Sequence, residues 1–288
     1  MKYLISIEGK ITDELSKLLI AEIERFDVRS EVVHLKFDLA IRELKSFCPD
    51  FLIVIGTRKS SKIIKKARKS GTKIIFFYQS ALETKSNLNY SNLVLERVYF
   101  DLPQLNHEYG NGSLLTDFIR KSDSRSTEES AIATISIIAT KLNKWHIHLK
   151  DDLSRINERF KFECIDTSDG LEETILKIRN SNVVIPTDQF SNVLAAMVNC
   201  PLVNVFKKSL FTRSNNRVTC INSILNTEVV KNIESGDIKE ISDELYKLLN
   251  DHNYSATMLN EYQHLKDKIG TQPFARVVAQ EIVEWGEE

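Results

Sequence analysis

Three carboxylates, Glu8, Asp13 and Asp166, fall where apolar runs end. Strand ends are where an α/β protein can place a general base. Glu8 and Asp13 bracket the turn Glu8-Gly-Lys-Ile-Thr-Asp13. A turn of that kind, leading from a strand to a helix N-terminus, can hold a phosphate or a sugar on its free backbone N–H groups. With one glycine it also reads as an ordinary βα turn. Thr57-Arg-Lys-Ser-Ser61 opens a second such turn, followed by Lys62, Lys65, Lys66, Arg68 and Lys69. This is either a surface for phosphate or an anionic headgroup, or a solvated helix face. Trp145-His146-Ile147-His148 sets two histidines two residues apart. On a strand they would share a face and could bind a metal if a third ligand came near. No third ligand has that spacing, so two half-buried or surface histidines fit better.

Other chemistries lack their patterns. There is no GxGxxG, no GxxxxGK[ST] and no GxSxG, which removes dinucleotide, P-loop and nucleophile-elbow readings. Cys48, Cys164, Cys200 and Cys220 form no CxxC pair and no zinc spacing, so they read as reduced, mostly buried thiols of a cytosolic protein. No metal or other cofactor is expected.

The elements that must position these groups alternate. Tyr3–Ile7, Glu31–Phe37, Phe51–Ile55, Lys73–Tyr78 and Leu93–Phe100 read as strands. Between them, Leu15, Leu18, Leu19, Ile23 and Phe26 recur at helical spacing after an N-cap at Thr12 or Asp13. Ala40–Phe47 and Ser60–Ser70 read as further helices. Phe51–Ile55 is apolar throughout, as strands covered on both faces are. The polar run 121–130 suggests a linker, and a second block alternates after it: strands Ala131–Ala139, Phe162–Asp166, Val183–Pro186 and Leu202–Phe206, helices Gly170–Asn180 and Ser191–Val198. The C-terminus is helical over Ile238–Leu249, Ser255–Ile269 and Pro273–Trp285.

The expected fold is α/β: two Rossmann-like βαβ domains facing a cleft, with C-terminal helices. The expected boundaries are 1–118, a linker over 119–130, and 131–288. At 288 residues the chain has room for both. Lys plus Arg is 39 and Asp plus Glu 40, a net charge of −1. This argues against nucleic acid as the main partner. The apolar start MKYLISIEG is too short for a signal peptide, and no run approaches the ~18 apolar residues of a membrane span.

The C-terminal third resembles one known family. Val218-Thr-Cys-Ile-Asn222, Glu228-Val-Val-Lys231, Glu244-Leu-Tyr-Lys-Leu-Leu249, Tyr262-Gln-His-Leu265, Gly270 and Ala279-Gln-Glu-Ile-Val283 follow in the order and spacing seen at the end of lipid-A-disaccharide synthase. Cys200-Pro-Leu-Val-Asn-Val-Phe-Lys207 resembles its "PxVVxYK/R" strand. Cys48-Pro-Asp-Phe-Leu-Ile-Val-Ile55 resembles its "PDxxIxID" segment.

The resemblance implies a GT-B glycosyltransferase that moves an acylated glucosamine from a UDP-sugar to a lipid-linked sugar phosphate in lipid A biosynthesis. It implies a cytoplasmic protein, peripheral on the inner membrane face. On the donor side it implies Lys207, Asn222 and Glu228; on the acceptor side, Gly56, Thr57 and Arg58. It also implies that the last helix crosses back onto the N-terminal half.

The family's motifs are incomplete here. "GExSGD" survives only as Glu8-Gly-Lys-Ile-Thr-Asp13, and the usual base aligns with Gly56, so Asp13 or Glu8 is the expected replacement. The donor loop aligns with Asp188-Gln-Phe-Ser-Asn-Val-Leu194 and loses its Glu at Leu194. A catalytically inactive relative, used for binding or assembly, is the alternative expectation.

Overall fold

The computed structural model describes residues 1–7, 10–56, 61–78, 97–100, 113–122, 132–207, 219–270 and 272–287. The chain divides into two compact units. Unit 1 is Met1–Lys121 with Ile269–Glu288, and unit 2 is Ser122–Lys268.

Unit 1 is a five-stranded parallel sheet in the order β2-β1-β3-β4-β5. The strands are β1 (Lys2–Ile7), β2 (Glu31–Lys36), β3 (Phe51–Gly56), β4 (Lys73–Tyr78) and β5 (Arg97–Phe100). The helices are α1 (Lys10–Phe26), α2 (Phe37–Phe47), α3 (Ser61–Lys69) and α4 (Leu114–Lys121), together with the last helix of the chain, α11 (Phe274–Glu287). β1 and β3 are buried almost end to end because helices cover both faces. On one face, Leu4, Leu52, Val54 and Ile74 pack against Ala40 and Leu44 of α2 and Ile63, Ile64 and Ala67 of α3. The other face carries α1, which packs against α4 and α11.

α11 is tied to this second face by rings and by one cap. Tyr3 and Phe51 are register partners whose rings stack at 5.4 Å, and the edge of Trp285 meets Phe51 at 5.3 Å. Lys73, the next partner in register, lies 4.7 Å over the Trp285 ring and donates to the Trp285 carbonyl at 2.9 Å. At the other end of α11, Asp117 of α4 accepts from the Ala275 N–H at 2.7 Å. The terminal helices expected together in the second domain are therefore divided. α11 belongs to unit 1, because its apolar side fills the face that α1 and α4 leave open. The expected linker also begins inside α4, which ends at Lys121.

Unit 2 holds the strands β6 (Thr134–Ala139), β7 (Lys161–Asp166), β8 (Val183–Pro186), β9 (Asn204–Phe206) and β10 (Asn232–Glu234). β7-β6-β8 form one parallel sheet and β9-β10 pair in parallel. A bridge between Val184 and Leu202 places β9 beside β8. The helices are α5 (Lys144–Ile156), α6 (Leu171–Arg179), α7 (Gln189–Met197), α8 (Cys220–Leu225), α9 (Ile238–Asn250) and α10 (His252–Ile269).

Several local readings change. α1 starts at Lys10, so Asp13 lies inside its first turn and is not its N-cap. Trp145–His148 is helical, because Asn143 caps α5. Cys200 and Cys220 are buried and burial pushes both thiols up to about 12, but Cys164 is half-buried and Cys48 exposed. Among the described residues no helix is long and apolar enough to cross a membrane.

Candidate functional site

In an open parallel sheet, ligands bind where the strand order reverses, at the carboxyl ends of the strands. In unit 1 that point lies between β1 and β3. The segments that follow these strands hold Glu8, Thr57 and Arg58, which lie outside the described residues. Gly56 is the last residue of β3, opposite Tyr78 of β4. Asp13 is a third exposed and already engaged. Its Oδ2 is 3.1 Å from Lys17 Nζ and its Oδ1 3.6 Å from His34 Nε2. Ser16 Oγ lies 2.9 Å from the same Nε2. The three residue types suggest a nucleophilic relay, but the directions do not make one. Ser16 donates to the Asp13 carbonyl at 2.8 Å, so its oxygen accepts from His34. Asp13 approaches the nitrogen that faces the serine, whereas a relay needs it on the other one. Burial, only partly offset by Asp13, holds His34 below its ordinary value.

In unit 2 the reversal lies between β6 and β8, and it is described in full. The turn 140–143 leaves β6 and enters α5. Each of three backbone amides in and beside it meets an acceptor side chain from the chain itself. Thr140 N–H donates to Asp188 Oδ2 at 2.7 Å. Leu142 N–H donates to Asp166 Oδ2 at 3.1 Å. Asn143 N–H donates to His146 Nδ1 at 3.0 Å. Asp188 also caps α7, accepting from the Ser191 N–H at 2.9 Å and the Ser191 hydroxyl at 3.0 Å. Asp166, at the end of β7, accepts in addition from the N–H and hydroxyl of Ser168. Burial would raise the Asp166 carboxyl. The Ser168 and Leu142 hydrogen bonds, with nearby His146, outweigh it and hold the group below the usual carboxylate range.

His146 is buried, and its bonds select one tautomer. Thr187 donates its hydroxyl to the Ile138 carbonyl at 3.1 Å. Its oxygen therefore accepts from His146 Nε2–H at 3.0 Å, while Nδ1 accepts from Asn143. That is a neutral imidazole, and burial accordingly lowers its affinity for a proton. The expected sharing of a face by His146 and His148 does not occur. On a helix, residues two apart point to different sides, and His148 is exposed. No group of three His, Cys, Asp or Glu side chains among the described residues could hold a metal ion. The same turn presents Lys141 and Lys144, both exposed and without a partner among the described residues.

The donor-side residues are placed in three different ways. Lys207 follows β9 and is exposed, and Glu228 is exposed in the turn after α8. Asn222 is buried and its amide makes three hydrogen bonds within unit 2. Oδ1 accepts from Val229 and Val230 N–H at 3.0 and 2.9 Å, and Nδ2 donates to the Val230 carbonyl at 2.7 Å. These bonds make it a staple that fixes α8 to the segment leading into β10. A second chain of amides, Asn192 to Asn204 to Asn232, joins α7, β9 and β10 through hydrogen bonds of 2.9 Å each. Sequence reading missed both this chain and the role of His146. The one signal for His146 was its place three residues after Asn143, the spacing of a capping box.

No protein-family model and no curated protein sequence matches the chain. Solved structures do. Staphylococcus aureus MnaA, solved with UDP, matches with a TM-score of 0.70 at 11% identity over 100% of this chain and 97% of that one. The fold is GT-B-like. The UDP-GlcNAc 2-epimerase of Neisseria meningitidis, bound to UDP-GlcNAc, matches with a TM-score of 0.63 at 12% identity over 99% and 100%. Anabaena HepE, in complex with UDP-glucose, matches with a TM-score of 0.53 at 13% identity over 100% and 99%.

These comparisons correct the expectation of a lipid-A-disaccharide synthase. Structures that match the GT-B-like chain along its whole length are repeatedly UDP-GlcNAc 2-epimerases, and no sequence family supports the synthase. The expected transfer of a sugar to a lipid-linked acceptor in lipid A biosynthesis rested on that resemblance and falls with it. The motifs that carried the resemblance lie on β3, β9, α8, the segment before β10 and the last three helices. Buried packing on such elements says more about fold than about chemistry.

Proposed function

We propose that the protein binds a UDP-sugar through unit 2, at the carboxyl ends of β6 and β8, and acts on the UDP-linked sugar. The observation that carries this reading is the whole-chain match to proteins solved with UDP or UDP-GlcNAc. The strand reversal of unit 2 supports the location. There the β6–α5 turn is rigid before any ligand arrives, because side chains of the chain hold its amides. Preformed turns lose little entropy on binding. Lys141 and Lys144 supply the positive charge that a diphosphate needs beside Asp166 and Asp188. Lys207, exposed after β9, adds a third cation on the neighbouring strand, and Glu228 is a candidate acceptor for a ribose hydroxyl.

Among reactions on a UDP-sugar, the comparisons favour inversion at C2 of the N-acetylhexosamine. Inverting that carbon requires removal of its proton and return of one to the opposite face. The test is incubation of the protein with UDP-GlcNAc in D₂O, followed by NMR. Deuterium at C2 and appearance of the C2 epimer support the reading. UDP-GlcNAc that binds and keeps its C2 proton would leave the nucleotide site and remove the epimerase chemistry. Absence of binding overturns both.

A further inference from the structure

Helix α3 sets like charges at the spacing where several helices of this protein set opposite ones. It carries Lys62, Lys65, Lys66, Arg68 and Lys69 in nine residues, with no acid. Every charged pair three or four residues apart on it is a pair of cations: Lys62 with Lys65 and Lys66, Lys65 with Arg68 and Lys69, and Lys66 with Lys69. Pairs of that kind destabilise a helix. Elsewhere the chain sets opposite charges at this spacing, as in Asp13–Lys17, Glu22–Arg25, Asp152–Arg155 and Glu173–Lys177. Lys62 also stands in the first turn of α3, where the helix dipole disfavours a cation.

Packing does not account for the excess. The inner face of α3 is complete, with Ile63, Ile64 and Ala67 buried against α2. Lys66 donates to the Ile41 carbonyl and fixes α3 beside α2. Lys62, Lys65, Arg68 and Lys69 are exposed and make no ion pair among the described residues. α2 is neutral, with Arg42 and Lys45 against Asp38 and Glu43, so the pair of helices carries +5 in a chain of net charge −1.

We infer that this face of unit 1 docks on a lipid bilayer that contains anionic headgroups. The charge is spread along a helix instead of converging on one point, which suits a surface of many anions. Four of the five cations are lysines, compact charges on flexible stems that follow fluid headgroups without fixed geometry. α3 has no aromatic side chain on which a base could stack, which disfavours single-stranded nucleic acid. Leu39, about half exposed at 48%, adds a large apolar side chain on the adjoining helix. Attachment of this kind is peripheral and independent of the UDP-sugar site.

The test is co-sedimentation of the full chain with vesicles of phosphatidylcholine alone and with about one-third phosphatidylglycerol, at low and high salt. The wild type is expected to sediment only with the anionic vesicles and to be released by salt. Each cation near such a surface strengthens partitioning about fivefold, so K62Q/K65Q/R68Q/K69Q is expected to lose more than about a hundredfold. A variant of equal charge loss elsewhere, R29Q/R159Q/K239Q/R276Q, is expected to retain most of the binding. Far-UV circular dichroism checks that both variants are folded. The proposal is overturned if the wild type stays in solution with anionic vesicles, or if the α3 variant binds as well as the control. It is equally overturned if α3-dependent binding appears with duplex DNA or RNA and not with vesicles.

Discussion

The Thr140 N–H and the Asp188 carboxylate meet at 2.7 Å across the strand reversal of unit 2. One side chain thereby does two jobs: it closes the turn after β6 and caps the helix after β8. Removing it loses a cap, worth about 1 kcal/mol, and a charge-assisted bond to an amide, worth about 1.5–3 kcal/mol. Asp188→Ala is expected to lower the unfolding free energy by about 2.5–4 kcal/mol in urea titrations. Asp188→Asn keeps one acceptor for Ser191 and is expected to lose roughly half as much. Equal stability of Asp188→Ala and wild type would show that the turn does not need the link.

Acid should open the same turn. His146 is neutral in the fold and its proton affinity is lowered by burial. A group with a lowered folded value contributes stability above its ordinary 6.5, and the contribution is lost as pH falls through the folded value. Protonation also removes the acceptor for Asn143 N–H. The wild type is expected to lose stability as pH falls below 6.5, and His146→Phe to lose less over that window. His34 titrates in the same sense and is common to both proteins, so the difference between them isolates His146. Asp166 acts lower. Its contribution is present above 3.8 and fades as pH falls through its lowered value.

Asn222 separates a staple from a ligand contact. Three hydrogen bonds depend on its amide, and two of them satisfy backbone N–H groups. Asn222→Ala is expected to cost about 2–4 kcal/mol of stability, because the buried amides are left without an acceptor. A variant that melts like the wild type but loses nucleotide affinity would return Asn222 to the donor site.

In unit 1, Asp117 binds the first turn of α11 from inside the protein. It is 5% exposed, and burial raises its carboxyl above the usual range despite the Ala275 bond and nearby Arg120 and Lys121. With a raised folded value, its contribution is fully present below 3.8 and is lost as pH climbs through the folded value. Asp117→Asn keeps an acceptor and carries no charge, so it is expected to equal or exceed the wild type at neutral pH. Asp117→Ala is expected to cost about 1 kcal/mol by losing the cap. Thermal melts across pH compare the three.

The alternation of strands and helices was legible because burial imposes it: β3 is apolar from Phe51 to Ile55, β1 is apolar but for Lys2 and Ser6, and the helices keep one apolar stripe. Boundaries were less so. α1 begins at Lys10, ahead of the N-cap residues Thr12 and Asp13 that the sequence offered. The site was hardly legible. Asp166 stood out as a strand-end carboxylate, but Thr140 follows β6 whereas Thr187 and Asp188 follow β8, far along the chain. Only the parallel order β7-β6-β8 brings them together. Asn222 looked like a donor ligand because a buried amide and an exposed one are the same letter. The resemblance misled for a related reason, since many of its motif residues, among them Ile221, Val230, Leu245, Tyr262 and Ile282, are buried packing residues.

The most direct measurement is calorimetric titration of the full chain with UDP, alongside Lys141→Gln and Lys144→Gln. The wild type is expected to bind with a Kd between about 1 μM and 1 mM. Each variant should bind about threefold to tenfold more weakly, since exposed cations contribute modestly. No heat up to about 5 mM UDP, beyond the weakest binding such a site would show, would contradict the proposed nucleotide site in unit 2.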